Sequence, residues 1–132
     1  MKFQEGDVYK YTFTVSDKTY LEFIQLSQDQ NPLHTNKDFA ISKGFEDVVM
    51  HGNILNAFLS YFIGECLPAK NVIIHSQEIQ FKNPVYMNND LQFHAEVTGA
   101  FESVMAVEFK FNFKNAASKI VAKGKIQIGL LK

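Results

Sequence analysis

Between Met105 and Phe113 every second residue is apolar: Met105, Val107, Phe109, Phe111 and Phe113 alternate with Ala106, Glu108, Lys110 and Asn112. A side-chain period of two fits a strand with one face in a core and the other in water. The pattern recurs in Leu91, Phe93, Ala95 and Val97, and in Ile73, His75, Gln77, Ile79 and Phe81. It returns in Ile120, Ala122, Gly124, Ile126, Ile128 and Leu130, and near the start Tyr9, Tyr11 and Phe13 alternate with Val8, Lys10 and Thr12. Turn residues at Lys82–Pro84, Met87–Asp90, Gly99 and Lys114–Ser118 separate the later strands. Strands of about ten residues reach ~33 Å, long enough to curl around another element.

That other element is legible as a change of period. From His51 to about Cys66 the residues Ile54, Leu55, Phe58, Leu59, Phe62 and Ile63 form a wide apolar stripe at helical spacing, and Pro68 closes it. A deeply packed helix is expected there. Ser16 is placed to cap a short helix over 17–27, with Asp17 in its first turn. Pro32 ends anything helical before it. Asn36 is placed to cap another helix over 37–43, with Gly44 just past its end. The arrangement that buries both patterns is α+β: an antiparallel sheet wrapped around a long central helix. No repeat or linker interrupts it, so one domain over residues 1–132 is expected.

Composition excludes several function classes. Net charge is −1, and all 13 basic residues are Lys, so neither a basic field for nucleic acid nor a guanidinium fork for phosphate exists. The single Cys66 excludes an internal disulfide or a thiolate cluster, and reads as a small apolar residue at the helix end. His75 and His94 sit in strands without partners at ligand spacing, so no metal and no cofactor is expected. There is no nucleophile elbow, phosphate loop or dinucleotide fingerprint. The start of the chain lacks a signal-like apolar stretch, and no run approaches membrane-spanning length, so the expected location is the cytoplasm.

The chemistry concentrates in two places. In Ser27-Gln28-Asp29-Gln30-Asn31-Pro32-Leu33-His34, a carboxylate and an imidazole five residues apart flank an Asn-Pro corner, and neither belongs to an apolar period. Such a pair can share one water, taking its proton and orienting it. Against this stands ordinary turn chemistry, since Asx residues beside Pro form turns, and spacing alone leans toward that reading. The second place is His51-Gly52, at the start of the central helix. A bare backbone and free N–H donors there suit a carbonyl that gains negative charge. Close packing or unusual backbone angles explain a Gly equally well.

Taken together, the run FIQLSQDQNPLHTNKDFAISKGFEDVVMHGNIL, Phe23 to Leu55, resembles the MaoC-like, (R)-specific enoyl-CoA hydratase family of hotdog-fold proteins. That family's signature has the form Ser-Gly-Asp-x-Asn-Pro-Leu-His-x-Asp, followed by a His-Gly-Met that opens the central helix. The later stretch IQFKNPVYMNNDLQFHAEV is similar to the family's Arg-Phe-x-x-Pro-Val-x-x-Gly-Asp element, so the likeness runs from about Gly6 to Val97. The resemblance implies a hotdog fold, an acyl-CoA or acyl carrier protein thioester as substrate, and a homodimer. It assigns Asp29 and His34 to water activation and the Gly52 N–H to the thioester carbonyl. Asn31 falls on the signature Asn, as support for the loop, and His51 is read as mainly structural. Asn53, Asn56, Ala57 and Ser60 are expected along the pocket.

The sequence departs from the signature in four places. Gln28 stands for the Gly before the Asp, Asn53 for the Met, Asn36-Lys37 where an acidic residue often sits, and Asn89-Asp90 for Gly-Asp. None removes a catalytic group. The expected activity is hydration or dehydration at C2–C3 of an acyl thioester, giving the (R)-3-hydroxyacyl product. Its rivals are an acyl-thioester hydrolase of the same fold and a non-catalytic acyl-thioester binding protein. Lys82, beside the Lys-Asn-Pro-Val corner, is either a phosphate contact or an exposed edge residue.

Overall fold

The computed structural model describes residues 1–132. In chain order the elements are β1 (Val8–Thr14), α1 (Asp17–Ser27), α2 (Pro32–Thr35), α3 (Lys37–Ser42) and α4 (Asn53–Tyr61). After α4 come β2 (Val72–Phe81), β3 (Asp90–Phe101), β4 (Ala106–Lys114) and β5 (Ile120–Leu130). The strands form one antiparallel sheet in the order β1-β3-β4-β5-β2, leaving β1 and β2 at the edges. α4 lies across the concave face: Ile54, Leu55, Leu59, Phe62 and Ile63 are buried in one core with Phe93, Phe109, Phe111, Phe113, Ile126 and Ile128 of the strands. No helix is long and apolar enough to cross a membrane.

Phenylalanine dominates this core. Phe62 meets Tyr9 at 5.5 Å, Phe93 at 4.9 Å and Phe109 at 5.6 Å between ring centroids, while Phe13 stacks on Phe58 at 4.7 Å. Each such pair adds roughly 0.5–1.5 kcal/mol beyond the area it buries.

The caps follow the sequence. Ser16 accepts from the Thr19 N–H to start α1, and Asn36 accepts from the Phe39 N–H to start α3, with Gly44 at φ +93° beyond its end. Four expectations change. Pro32 does not merely stop a helix: it opens α2, its missing N–H costing nothing at the first helical position. The central helix is not sheathed all round, since Ala57, Ser60, Tyr61 and Gly64 are exposed, and its last turn, Phe62–Cys66, is a π-helix.

The other two changes are strand irregularities. In β2 a bulge between Ile74 and Ser76 breaks the alternation. Ile74, Gln77 and Ile79 pair with Ile128, Ile126 and Gly124 on the helix side, whereas His75 turns away and lies over Gly129. Gly99 is not a turn: it follows a bulge inside β3, which runs on to Phe101.

Candidate active site

The loop after α1 is held by its own short side chains. Ser27 Oγ accepts from the Asp29 N–H at 3.1 Å, Asp29 Oδ1 from the Asn31 N–H at 3.1 Å, and Asn31 Oδ1 from the Leu33 N–H at 3.0 Å, capping α2. Asp29 is therefore a turn residue through one oxygen, while the other faces His34. Gln28, where the loop leaves α1, is left-handed at φ 59°, a conformation Gly adopts without strain.

α2 raises His34 against the segment leading into α4. The Leu33 carbonyl accepts from the Val49 N–H at 3.0 Å, and the Tyr20 hydroxyl donates to the His34 carbonyl at 2.6 Å. Burial raises the Tyr20 phenol's pKa above 10.0, keeping it a donor. His34 Nδ1 lies 2.6 Å from the Val49 carbonyl, which can only accept, so Nδ1 carries the proton. Nε2 faces Asp29 Oδ2, 3.8 Å away, and is bare whenever Nδ1 holds the ring's single proton. Two acceptors at that spacing are bridged by a single donor, and one water fits the role.

His34 and Gly52 line the same cavity, of about 420 Å³. Gly52 has helical backbone angles, φ −58° and ψ −34°, so unusual angles are not its reason. Close approach is: a Cβ there would lie 2.8 Å from Phe81 Cε1. No group in the chain accepts from the Gly52 or Asn53 N–H, so both donors at the start of α4 are free. Asn53 lines the cavity. Asn56 does not: it accepts from Gln77 at 2.7 Å and donates to Asn53 at 2.9 Å. Ala57 and Ser60 lie on the outward face of α4, away from this cavity. Asn31 stays in the loop as its cap.

Much of the cavity wall was not anticipated. Phe45, Val49 and Met50 come from the stretch before α4, Phe81 and Val121 from strand ends, and Pro84 and Val85 from the loop after β2. The one signal for the first group is the apolar density of Phe45 to Met50 in a segment with no period. Lys82 also reaches the wall, at the rim.

Asp29, His34 and His51 offer ligand atoms within 4.8 Å of one another. The two rings stack face to face, centroids 3.9 Å apart and 30° between planes, so their in-plane lone pairs run alongside rather than converge. His34 Nδ1 and His51 Nε2 are also committed to carbonyls. This donor set is suited to holding a water rather than an ion.

Comparison with known proteins agrees with this fold. Residues 2–118 match the MaoC like domain family. The chain is 30% identical over 125 residues to an (R)-specific enoyl-CoA hydratase of Rhodospirillum rubrum, covering 95% of this chain and 86% of that protein. It is 27% identical over 122 residues to a mitochondrial 3-hydroxyacyl-[acyl-carrier-protein] dehydratase of Arabidopsis thaliana, covering 90% and 72%. The solved (R)-hydratase from A. caviae involved in PHA biosynthesis superimposes with a TM-score of 0.89 at 26% identity over 98% of each chain. A sheet curled around one helix is thus what the match over residues 2–118 leads one to expect: the chain belongs to the MaoC-like domain family of hotdog-fold proteins.

Proposed function

We propose that this chain is a lyase that adds water across the C2–C3 double bond of a trans-2-enoyl thioester, and removes it in reverse, giving the (R)-3-hydroxyacyl form. The observation that carries the reading is the pair of facing acceptors, Asp29 Oδ2 and His34 Nε2, 3.8 Å apart beside a cavity that the Gly52 backbone lines. The named relatives, hydratases and acyl carrier protein dehydratases, support the reaction class and a CoA or carrier-protein thioester.

In this mechanism a water donates to both acceptors. As its oxygen bonds to C3, its proton passes to His34 Nε2, and the electron pair of the double bond moves toward the thioester carbonyl. The Gly52 N–H meets the charge that develops on that oxygen. The proton then goes to C2 from the same side, which restores the pair. Asp29 orients the water and balances the imidazolium while it exists. No cofactor takes part.

The domain is proposed to span residues 1–132 and to work as a homodimer. Support for the dimer comes from β2, an edge strand of 10 residues that has neither Lys nor Pro. Ile74 and Phe81 stand exposed along it. The test is loss of enoyl-thioester absorbance with crotonyl-CoA, run beside Asp29→Asn. Loss in the wild type that vanishes in the variant supports the reading. Release of free thiol without hydration would make the chain a hydrolase instead, and binding without turnover would make it a carrier of acyl thioesters.

A further inference from the structure

We propose that His51 is a positioning residue, which holds Asp29 and His34 in register with each other from a single ring; this rests on the hydration reading above. His51 is 3% exposed and is the one buried polar side chain in the protein. Its neighbours are aromatic: Phe23 at 4.9 Å and Tyr20 at 5.8 Å between ring centroids. A phenyl ring would fill such a place at no cost in desolvation. The imidazole does carry a cost, because its Nδ1 is buried and has no hydrogen-bond partner.

What the imidazole supplies in return is a donor. Its Nε2 lies 2.8 Å from the Asp29 main-chain carbonyl, so Nε2 holds the proton and Nδ1 is left bare. The face of the same ring lies against His34 at 3.9 Å. Asp29 is already tied through Oδ1 to the Asn31 N–H, so fixing its carbonyl as well leaves Oδ2 little freedom. One ring thus holds the acid by a bond and the imidazole by a face. The 3.8 Å gap between them is the quantity it sets.

The test compares His51→Phe, which keeps the ring and loses the donor, with His51→Gln, whose amide nitrogen restores a donor near Nε2. The phenylalanine variant is expected to lose about tenfold to hundredfold in kcat, as displaced catalytic groups do, with KM held within roughly twofold. The glutamine variant, which keeps the donor and loses the ring face, is expected to regain part of that loss. Imidazole nitrogen NMR supplies a second readout, independent of turnover. The His34 Nε2 resonance, which senses the Asp29 carboxylate across the 3.8 Å gap, should move in His51→Phe and return toward its wild-type position in His51→Gln.

Full kcat in His51→Phe, or equal damage in both variants, overturns the proposal. If the wild type turns over no enoyl thioester, the hydratase reading fails, and the NMR comparison then decides alone. An unchanged His34 Nε2 resonance in His51→Phe would overturn it there. Should His51→Phe not fold, His51→Met removes the same donor and is read the same way.

Discussion

Asp29 divides its carboxylate between two tasks, one oxygen for the turn and one for the gap facing His34. Replacing it by Asn therefore does more than remove charge. The Asn31 N–H still requires an oxygen, so the amide nitrogen must face His34 Nε2. The gap then offers a water one acceptor and one donor in place of two acceptors. Asp29→Asn is expected to lower turnover by about a hundredfold or more, and His34→Ala likewise, the low end of general acid–base contributions. Steady-state rates on crotonyl-CoA decide both, and near-wild-type rates in either variant would end the assignment. Gln28 makes a separate prediction. A left-handed non-Gly residue costs roughly 1–2 kcal/mol, part of which Gly returns through backbone entropy, so Gln28→Gly should stabilise the fold by up to about 1 kcal/mol. Urea denaturation measures it, and a loss of stability would show that the Gln28 side-chain bond to the Gln25 carbonyl matters more than the strain.

Among the elements, β5 and β2 approach closely enough at Gly124 that a Cβ there would collide with the Glu78 main-chain carbonyl. Gly124→Ala must push the two strands apart, and a loss of about 1–3 kcal/mol or more is expected in thermal or urea melts. The matching change at Gly52 meets only the Phe81 ring, which is half exposed and free to swing, so Gly52→Ala should cost turnover more than stability. This contrast marks what the sequence could convey. Alternation and caps placed β1, α1, α3 and β3 to β5 to within a residue or two, apart from the end of β3, because they depend on near neighbours. Spacing alone left Asp29, His34 and Gly52 open between turn or packing roles and chemistry, and only the likeness to the MaoC-like family singled them out as candidates. The β2 bulge at His75, the packing of Phe81 on Gly52 and the His51 bond to Asp29 were not legible, since each depends on residues distant in the chain.

For the whole molecule, the sheet has a filled concave side and a convex side of Lys, Glu, Gln and Thr, so what remains open is its rim. β1, at one rim, is 7 residues long and carries Lys10, which discourages further pairing. β2, at the other, is longer and has neither Lys nor Pro, its protection being one bulge and Glu78. Sedimentation is expected to give twice the 15.1 kDa chain mass, and a monomer would remove the dimer from the proposal. The alkaline limit belongs to this scale too. Burial raises Tyr9, Tyr11 and Tyr20 above 10.0, so folding holds protons that the unfolded chain releases first. The stability these phenols contribute is whole below pH 10.0 and falls as pH rises through their folded values, which denaturation on either side of that pH will register. The open β2 rim has one more consequence. Under the proposed dimer another copy completes that edge and folding is partly bimolecular, so dilution alone should lower the melting temperature, and each tenfold change in concentration shifts the association balance by about 1.4 kcal/mol.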